Sequence, residues 1–380
     1  MNIGMISPWF AMIKGGAEHY TLHLSNKLAD LGYDITIICG KQPFRKPEPL
    51  SERFKIEYVP QLFFPRNWGT KKIKLLSGGA WLVCSYQYMF SCYRYLLKNQ
   101  GFDIIHTHDP FSLHVAVNIV KMKKRYEVPI VSTFHGPPAL QHINDAKCVD
   151  AVTVYNREIK SVFEKSGITN AYYISPGVDL SHFKSMDKKK SREVIGLDDK
   201  SKIILFVGRL VPIKNLHNLL YAFKKTLSAV DDVKLLIVGD GILKRQLVHT
   251  AQKLGLGESV IFTGAVFYKD LPIYYSAADV FVLPSSYESF GFVCQEAAAC
   301  GLPITVSTGA DAFIREFGED AIFTFPPDDQ DSICSTIVDA LTDKEEREEK
   351  LRESLKRVQT FSWSERAREV AKIYETVIRK

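Results

Sequence analysis

The stretch DVFVLPSSYESFGFVCQEAAACGLP, residues 279–303, consists of an apolar run, a polar turn and an alanine-rich run. The apolar run DVFVLP is short and uninterrupted, which is typical of a strand buried on both faces. The turn ends at Gly291, and the alanine-rich run has the composition of a helix. The stretch therefore predicts a strand, a turn and a helix, with Glu288 where the strand ends and Glu296 inside the helix.

The same unit recurs along the chain before this stretch. Downstream of residue 200, helices are predicted over 214–229, 241–254 and 290–300, and the strand runs are KIILFVG, VKLLIVG, SVIFTG and DVFVLP. In the first half, helices are predicted over 17–31, 86–97, 111–124 and 156–166, and the strand runs are NIGMIS, DITIIC, FKIEYV, DIIHTH, PIVSTF, AVTVY and AYYIS. Such alternation predicts an α/β fold with parallel sheets covered by helices on both faces.

The alternation lapses over residues 179–200, which are polar, charged and rich in turn formers. We therefore predict an N-terminal Rossmann-like domain over 1–178, a linker over 179–200, a second Rossmann-like domain over 201–360 and a C-terminal helix over 361–380. Two doubly wound domains of similar size predict a cleft between them, with ligands at the carboxyl ends of the strands.

The composition is that of an ordinary globular enzyme: of 380 residues, 46% are hydrophobic and 24% are charged. The seven cysteines include no C-x-x-C pair, which argues against a disulfide framework and a zinc site and fits a reducing cytoplasm. No signal peptide is expected. The longest apolar-leaning run, GGAWLVCSYQYMFSCYRYLL, is interrupted by Ser, Gln and Arg and predicts a buried or interfacial helix. We expect a cytoplasmic protein.

The positive charge is concentrated in the first half of the chain. Residues 1–180 carry 21 Lys and Arg against 14 Asp and Glu, whereas residues 181–380 carry 28 against 29. In QLFFPRNWGTKKIKLL, residues 61–76, aromatic and basic side chains are interleaved, which suits the headgroup region of an anionic bilayer. This pattern predicts an anionic or membrane-borne acceptor and a peripheral contact with the inner face of the membrane. The alternative is a loop whose aromatics fold into the core, with a soluble acceptor.

Two carboxylates and one glycine of the opening stretch predict a nucleotide-sugar site. Gly291 allows a close backbone approach, and a helix N-terminus favours an anion there. Glu296 lies further into the helix, where both of its oxygens can bind a vicinal diol such as a ribose. Glu288 can then bind a sugar, with phosphates between the two carboxylates. The alternative is a solvated glutamate and an ordinary helix-face glutamate.

A second strand end, in FVGRLVPIKNLHNLL, carries Arg209 and Lys214. A planar guanidinium and a compact ammonium together can clamp a diphosphate. When the diphosphate leaves, fixed cations stabilise its growing charge without a metal. The alternative is an unrelated surface arginine and lysine.

Further candidates lie in the first half. Gly15 and Gly16 separate the first strand from its helix and permit a close ligand approach, but the G-x-G-x-x-G fingerprint is missing, and a simple tight turn is the alternative. His135 follows a strand in PIVSTFHGPP and can meet a substrate hydroxyl. His106 and His108 share one strand face, which could suggest a metal pair, but no third ligand is evident. Structural or acceptor-lining roles are therefore expected for them. In the second half, the loop GDGILKRQL resembles a phosphate loop but is short, and helix capping is expected.

Together these motifs resemble the retaining GT-B glycosyltransferases of family four. The matching pieces are GGAEHY, TFHG, GVDLSHF, VGRLVPIKN, LLIVGDG, FTGAV, the two glutamates with CGLP, and FSWSERAREV. They occur in the family's order over nearly the whole chain. The resemblance implies a GT-B fold, with two Rossmann-like domains, an interdomain cleft, and a C-terminal helix that crosses back to the N-terminal domain.

The resemblance also implies residue roles. It places Gly16 by the sugar diphosphate and Val266 at the nucleobase, through its backbone. The expected catalytic residues are His135, Arg209, Lys214 and Glu288. The expected donor-binding residues are Gly15, Gly16, Val266, Ser289, Phe290, Gly291 and Glu296. No metal and no cofactor are expected; the donor substrate is expected to be a UDP- or GDP-sugar.

The predicted activity is retaining transfer of a hexosyl group from a nucleotide-diphosphate donor to a hydroxyl acceptor, in the synthesis of a cell-surface glycan, glycolipid or related glycoconjugate. No nucleic acid partner is expected. The alternatives are a nucleotide-sugar epimerase or a glycan phosphorylase on the same fold, and a non-catalytic nucleotide-sugar-binding protein. A phosphorylase would need a longer chain and a lysine in a pyridoxal setting. An NAD-dependent oxidoreductase would need the missing glycine fingerprint. A non-catalytic binder would be expected to lose Arg209, Lys214 or Glu288.

Overall fold

The computed structural model describes residues 1–8, 10, 16–41, 52–60, 74–108 and 128–379, except the side chains of 74–85 and 141. The chain forms two compact units, one of Met1–Pro176 with Trp363–Lys380 and one of Gly177–Ser362. The helix predicted over 111–124, the candidate Gly15 and most of the basic aromatic stretch 61–76 lie outside the described residues.

The first unit contains a seven-stranded parallel sheet in the order β3-β2-β1-β4-β5-β6-β7. Its strands are β1 (Asn2–Ile6), β2 (Asp34–Gly40), β3 (Lys55–Val59), β4 (Ile104–Thr107), β5 (Ile130–Phe134), β6 (Ala151–Val154) and β7 (Ala171–Tyr173). Its helices are α1 (Gly16–Asp30), α2 (Lys74–Lys98), α3 (Leu140–Ala146), α4 (Arg157–Lys165) and the C-terminal helix (Trp363–Ile378). The central strands β1, β4, β5 and β6 are almost wholly buried, as expected where helices cover both faces of a sheet.

The C-terminal helix packs against α1 within this unit. Its Tyr374 is completely buried, and the Tyr374 hydroxyl lies 2.6 Å from Nδ1 of His106 on β4. The other ring nitrogen of His106 lies 2.7 Å from Oγ1 of Thr133 on β5. Because both nitrogens of His106 have partners, this buried histidine joins the helix to the sheet and has a structural role.

Helix α2 is amphipathic where its side chains are described. Tyr88, Cys92 and Leu96 are buried at a spacing of one helical turn, and the Tyr88 hydroxyl donates to the carbonyl of Ile38 at 3.1 Å. Tyr86 and Phe90 on the other face are each 59% exposed. No helix in the described part of the chain is long and apolar enough to cross a membrane.

The second unit contains a six-stranded parallel sheet in the order β10-β9-β8-β11-β12-β13. Its strands are β8 (Lys202–Val207), β9 (Val233–Val238), β10 (Val260–Gly264), β11 (Val280–Leu283), β12 (Ile304–Ser307) and β13 (Phe323–Phe325). Its helices are α5 (Lys188–Ile195), α6 (Leu216–Thr226), α7 (Lys244–Lys253), α8 (Leu271–Ala277), α9 (Phe292–Ala299), α10 (Asp311–Phe317), α11 (Gln330–Thr342) and α12 (Lys344–Val358). The two parallel, doubly wound sheets confirm the predicted fold class.

The predicted linker over 179–200 contains the helix α5, which packs on α8 within the second unit. The guanidinium of Arg192 is buried there, with Nη2 2.8 Å from Oδ2 of Asp279 and Nε donating to the carbonyl of Ala277 at 3.0 Å. The same Asp279 oxygen accepts the amide hydrogen of Ile203 at 2.6 Å, at the start of β8. The segment is therefore fastened to the second sheet through a buried arginine, while most of its other charged residues are exposed.

Candidate active site

The candidate residues of the second unit lie at the carboxyl edge of its sheet, where the strand order reverses. β8 lies between β9 and β11, so the connections that leave β8 and β11 pass to opposite faces of the sheet. Ligands of open α/β sheets bind in the crevice at such a point. Arg209 and Lys214 follow β8, and Glu288 follows β11. Strands distant in sequence thus bring these three residues to one place.

Backbone hydrogen bonds hold the loops at this edge together. The amide of Ser286 donates to the carbonyl of Ile213 at 2.9 Å, which joins the loop after β11 to the loop after β8. The amide of Glu288 donates to the carbonyl of Gly309 at 2.9 Å, which joins it to the turn after β12. A Cβ atom at Gly309 would overlap the backbone of Ser285, so only glycine permits this close approach.

Lys214 and Glu288 form an ion pair at the centre of this edge, in which the Lys214 ammonium donates to Oε1 of Glu288. Each side chain is 13% exposed. The hydroxyl of Ser285 donates to the same carboxylate oxygen at 2.7 Å. Oε2 of Glu288 has no hydrogen-bond partner among the described residues. The described residues thus hold the carboxylate through one of its two oxygens.

The local sequence explains where the Lys214 side chain lies. Pro212 begins a single 3-10 turn, Pro212–Lys214, and its fixed φ suits the first position of such a turn. Asn215 ends the turn with a φ of 52°, a left-handed conformation that asparagine tolerates better than most residues. The side-chain amide of Asn215 donates to the carbonyl of Pro327 at 2.6 Å. Arg209, by contrast, is exposed and forms no ion pair with any described residue.

Glu296 lies in the second turn of α9, and its Oε2 accepts a hydrogen bond from the Tyr275 hydroxyl at 2.7 Å. Burial raises the pKa of the Glu296 carboxyl to about 7, while the hydrogen bond from Tyr275 acts in the opposite direction. The helix begins after Gly291, whose φ of 93° is in the left-handed region that disfavours a side chain. The sequence predicted the position of Glu296 but not its tyrosine partner.

Phe290, Val266 and Ser289 are the other predicted donor-binding residues of the second unit. The Phe290 ring is buried and packs edge-on against Phe313, with 6.0 Å between ring centroids, so it belongs to the core. Val266 lies just beyond β10, and neither its amide nor its carbonyl is hydrogen-bonded to another described residue. Ser289 is half-buried beside Phe290 in the turn before α9.

In GDGILKRQL, for which helix capping was predicted, Leu243 occupies the N-cap position of α7 without a side-chain hydrogen bond, and the amide of Lys244 donates to the carbonyl of Gly241 at 3.1 Å. Gly239 and Gly241 also allow the loop after β9 to touch the loop after β8. A Cβ at Gly239 would overlap the carbonyl oxygen of Gly208, and Gly239 also has a φ of 141°. These glycines therefore fix the loop that carries Arg209, a role that becomes visible only once the strand order is known.

In the first unit, His135 directly follows β5 and is held by Tyr155. The Tyr155 hydroxyl donates to the His135 carbonyl at 3.0 Å and lies 2.8 Å from Nδ1 of the same residue. Because a hydroxyl has one hydrogen, Nδ1 carries the proton and Nε2 is an acceptor. Burial lowers the pKa of His135 to about 3, so the ring is neutral at pH 7. Nε2 is buried and has no hydrogen-bond partner among the described residues.

The remaining candidates of the first unit are the histidine pair and Gly16. His108 is buried with its ring centroid 4.3 Å from that of His106, and burial is the main cause that lowers its pKa. Within the described ranges, no group of three or more His, Cys, Asp or Glu residues could hold a metal ion. Gly16 is the first residue of α1, at the carboxyl end of β1.

Two family descriptions together span most of the chain. Residues 14–182 match the description "Glycosyltransferase Family 4", and residues 187–357 match "Glycosyl transferases group 1". The chain is 30% identical over 304 residues to an uncharacterized glycosyltransferase of Methanocaldococcus jannaschii, an alignment that covers 74% of this chain and 77% of that protein. It is 26% identical over 396 residues to the phosphatidyl-myo-inositol mannosyltransferase of Mycolicibacterium smegmatis, covering 99% of this chain and 94% of that protein.

Solved structures share the fold over the whole chain. Sucrose-phosphate synthase from Thermosynechococcus elongatus superposes with a TM-score of 0.83 at 22% identity and covers 100% of this chain and 99% of its own. Anabaena HepE, solved in complex with UDP-glucose, superposes with a TM-score of 0.79 at 17% identity and covers 99% of this chain and 100% of its own. At these identities the likeness shows the GT-B fold.

Proposed function

The chain belongs to the family 4 glycosyltransferases of the glycosyl transferases group 1, which use nucleotide-sugar donors, and from this premise we propose that it transfers a hexosyl group with retention and without a metal. The single observation that carries the proposal is the ion pair of Lys214 and Glu288 at the switch point of the second sheet, with Arg209 in the same loop after β8. Two cations for a diphosphate and a carboxylate for sugar hydroxyls thus leave neighbouring strand ends of one sheet.

The two cations stabilise the leaving group. As the bond between the anomeric carbon and the diphosphate oxygen breaks, negative charge grows on the diphosphate. Arg209 is exposed and forms no ion pair with any described residue, so its guanidinium can bind a phosphate through two parallel hydrogen bonds. The Lys214 ammonium shares its charge between Glu288 and the diphosphate. Oriented cations of this kind stabilise the transition state without the reorganisation that water would need.

The donor's neutral groups are bound by the carboxylates and by backbone. Oε2 of Glu288 accepts hydrogen bonds from sugar hydroxyls, and Glu296 binds the ribose diol. The unpaired backbone of Val266 meets the base. The acceptor hydroxyl attacks the anomeric carbon on the face from which the diphosphate departs, and the departing diphosphate takes its proton. This path retains the anomeric configuration and needs no protein nucleophile.

His135 is the candidate of the first unit. Its neutral ring presents Nε2 as an acceptor, and this atom has no partner in the part of the chain that the structure describes. A neutral imidazole suits a hydroxyl better than a phosphate, because it carries no positive charge. We therefore assign to His135 a hydrogen bond from a substrate hydroxyl.

The donor is a UDP- or GDP-hexose, and the acceptor belongs to glycolipid or glycoconjugate synthesis. HepE was solved with UDP-glucose, and the relative from M. smegmatis is a phosphatidyl-myo-inositol mannosyltransferase. A lipid-linked acceptor agrees with the excess of Lys and Arg in residues 1–180. It also agrees with the exposed face of α2, where the guanidinium of Arg94 lies 5.9 Å from the ring centroid of exposed Phe90.

The experiment has two steps. A panel of UDP-, GDP-, ADP- and dTDP-sugars is first screened by thermal shift, and a UDP- or GDP-hexose is expected to give the largest stabilisation. Release of nucleoside diphosphate from that donor is then measured with phosphatidylinositol, inositol phosphate and free sugars as acceptors. Acceptor-dependent release supports transfer. Conversion of the donor to another nucleotide sugar would show an epimerase, and binding without turnover would show a non-catalytic protein.

A further inference from the structure

Ser285 lies two residues past the end of β11 and is completely buried. Its hydroxyl donates to Oε1 of Glu288 at 2.7 Å. A buried hydroxyl that donates to a carboxylate forms a charge-assisted hydrogen bond, which is shorter and stronger than one between neutral groups. The rotamer of Glu288 is therefore tied to the end of a core strand.

Ser285 is itself held in place by β12. The hydroxyl of Ser307, also completely buried, donates to the carbonyl of Ser285. The Glu288 amide is held by the Gly309 carbonyl at 2.9 Å, as described above. The turn that links Ser285 to Glu288 is thus held by three hydrogen bonds at one edge of the sheet. Such support is what keeps a carboxylate within reach of a substrate hydroxyl.

The two donors to Glu288 differ in what happens when a diphosphate binds. Lys214 and Ser285 both donate to Oε1, and Oε2 has no partner among the described residues. Lys214 carries the charge that a diphosphate attracts, so its hydrogen bond to Glu288 is shared or lost in the donor complex. The neutral, buried Ser285 hydroxyl has no competing ligand and stays on Oε1.

We propose that Ser285 is a positioning residue that orients the Glu288 carboxylate toward the donor sugar. The inference rests on the proposed function. It predicts that loss of the hydroxyl weakens binding of the donor sugar and slows the chemical step. Binding of the nucleoside diphosphate is expected to stay unchanged, because neither Arg209 nor Glu296 touches Ser285.

The test compares Ser285→Ala with Thr305→Val. Thr305 is completely buried on β12, and its hydroxyl donates to the carbonyl of Phe281 on β11 at 3.0 Å. Each substitution removes one buried hydroxyl and the hydrogen bond that it donates, but only the hydroxyl of Ser285 touches the carboxylate. Ser285→Cys, which fills the site and offers only a weak donor, gives a second test that opens no cavity.

Calorimetry measures the affinity for the nucleotide sugar chosen by the donor panel and for its nucleoside diphosphate. Ser285→Ala and Ser285→Cys are expected to bind the nucleotide sugar more weakly than wild type does, while their affinity for the nucleoside diphosphate stays the same. Their kcat is expected to fall about 10- to 100-fold, the usual cost of losing a group that orients a functional side chain. Thr305→Val keeps the wild-type affinity ratio and kcat. In a Glu288→Ala background, Ser285→Ala produces no further change in the affinity ratio, because the carboxylate through which Ser285 acts is already absent.

Equal affinity ratios and equal kcat in the Ser285 and Thr305 variants would overturn the inference while leaving the proposed function intact. An additive loss in the Glu288→Ala background would also overturn it, since Ser285 would then act through something other than Glu288. If the wild-type protein binds no nucleotide sugar and transfers none, the proposed function itself has failed.

Discussion

The Lys214 ammonium and the Glu288 carboxylate form an ion pair across 74 residues of sequence. Each side chain is 13% exposed, so the pair is largely shielded from water and from salt. Breaking such a pair by removing one partner leaves a shielded charge without compensation, which is costly. A diphosphate can replace the carboxylate as the partner of Lys214. The pair therefore keeps a cation oriented at the switch point before the donor arrives.

Lys214→Ala is expected to lower kcat by a factor on the order of 10²–10³, the usual cost of losing one oriented donor to a developing anion. Arg209→Ala is expected to do the same. Lys225→Ala is the control, because Lys225 forms an exposed ion pair with Asp331 on another helix and such pairs contribute little. Steady-state assays in EDTA check the metal-free assignment, and activity should persist. Full activity in Lys214→Ala, or abolition by EDTA, would contradict this account.

The two glutamates are expected to separate binding from chemistry. Glu296→Ala weakens calorimetric binding of the nucleoside diphosphate, because the ribose diol loses its acceptor. Glu288→Ala leaves that affinity close to wild type and slows transfer, because its partner is on the sugar. The same diphosphate serves as ligand for both variants, so each is the other's control. An unchanged affinity in Glu296→Ala would remove the ribose assignment.

The raised pKa of Glu296 makes donor binding depend on pH. Below its pKa of about 7 the carboxyl is protonated and is a poorer acceptor for two ribose hydroxyls, so affinity rises as pH increases through 7. The intact nucleotide sugar is the ligand to use, because a free nucleoside diphosphate has a phosphate group that titrates in the same range. Glu296→Gln binds more weakly at high pH and shows a flat profile. Parallel profiles in the two proteins would show that another group titrates.

The same pKa has a consequence for stability. The folded state holds the Glu296 proton more tightly than the unfolded chain does, so the folded state binds more protons between the two pKa values. The free energy of unfolding therefore contains a contribution that is lost as pH rises from the unfolded pKa to about 7. Denaturant titrations of wild type and Glu296→Gln should diverge over this window, with the wild type losing stability relative to the variant. A constant difference would contradict the shift.

Gly239→Ala tests the close contact between the loops after β8 and β9. A Cβ there would overlap the Gly208 carbonyl and would occupy a φ of 141°, so the cost should exceed about 1 kcal/mol and lower the melting temperature. Gly255→Ala is the matched control, because Gly255 also has a positive φ, 68°, but a Cβ there would meet nothing within 4 Å. Equal destabilisation of the two variants would mean that the contact with Gly208 does not matter.

The sequence predicts most of the strands because those of a parallel sheet are uninterrupted apolar runs, as DVFVLP illustrates. It misses α5 because the side chain that anchors this helix is Arg192, whose burial depends on Asp279, far away in sequence. It places Lys214 and Glu288 at strand ends, but their pairing requires β8 and β11 to be neighbours. For the same reason, the sequence does not reveal Ser285 as a partner of Glu288 or Tyr275 as a partner of Glu296. Each hydroxyl is seen to lie within 3 Å of its carboxylate only once the fold is known.

The last prediction concerns the basic first half of the chain. Lys71, Lys72 and Lys74 lie in or beside the stretch that the structure does not describe, next to the amphipathic α2. At roughly 1 kcal/mol per basic residue near an anionic surface, these lysines with Arg66 support reversible attachment. Wild-type protein should co-sediment with anionic vesicles, and the bound fraction should fall as salt screens the charges. Replacing the three lysines with glutamine should weaken binding.

The control replaces Lys189, Lys344 and Lys356, exposed lysines of the second unit, and removes the same charge. If both triple variants bind alike, net charge alone is responsible. If wild-type protein stays in the supernatant at low salt, the acceptor is to be sought among soluble sugars and proteins.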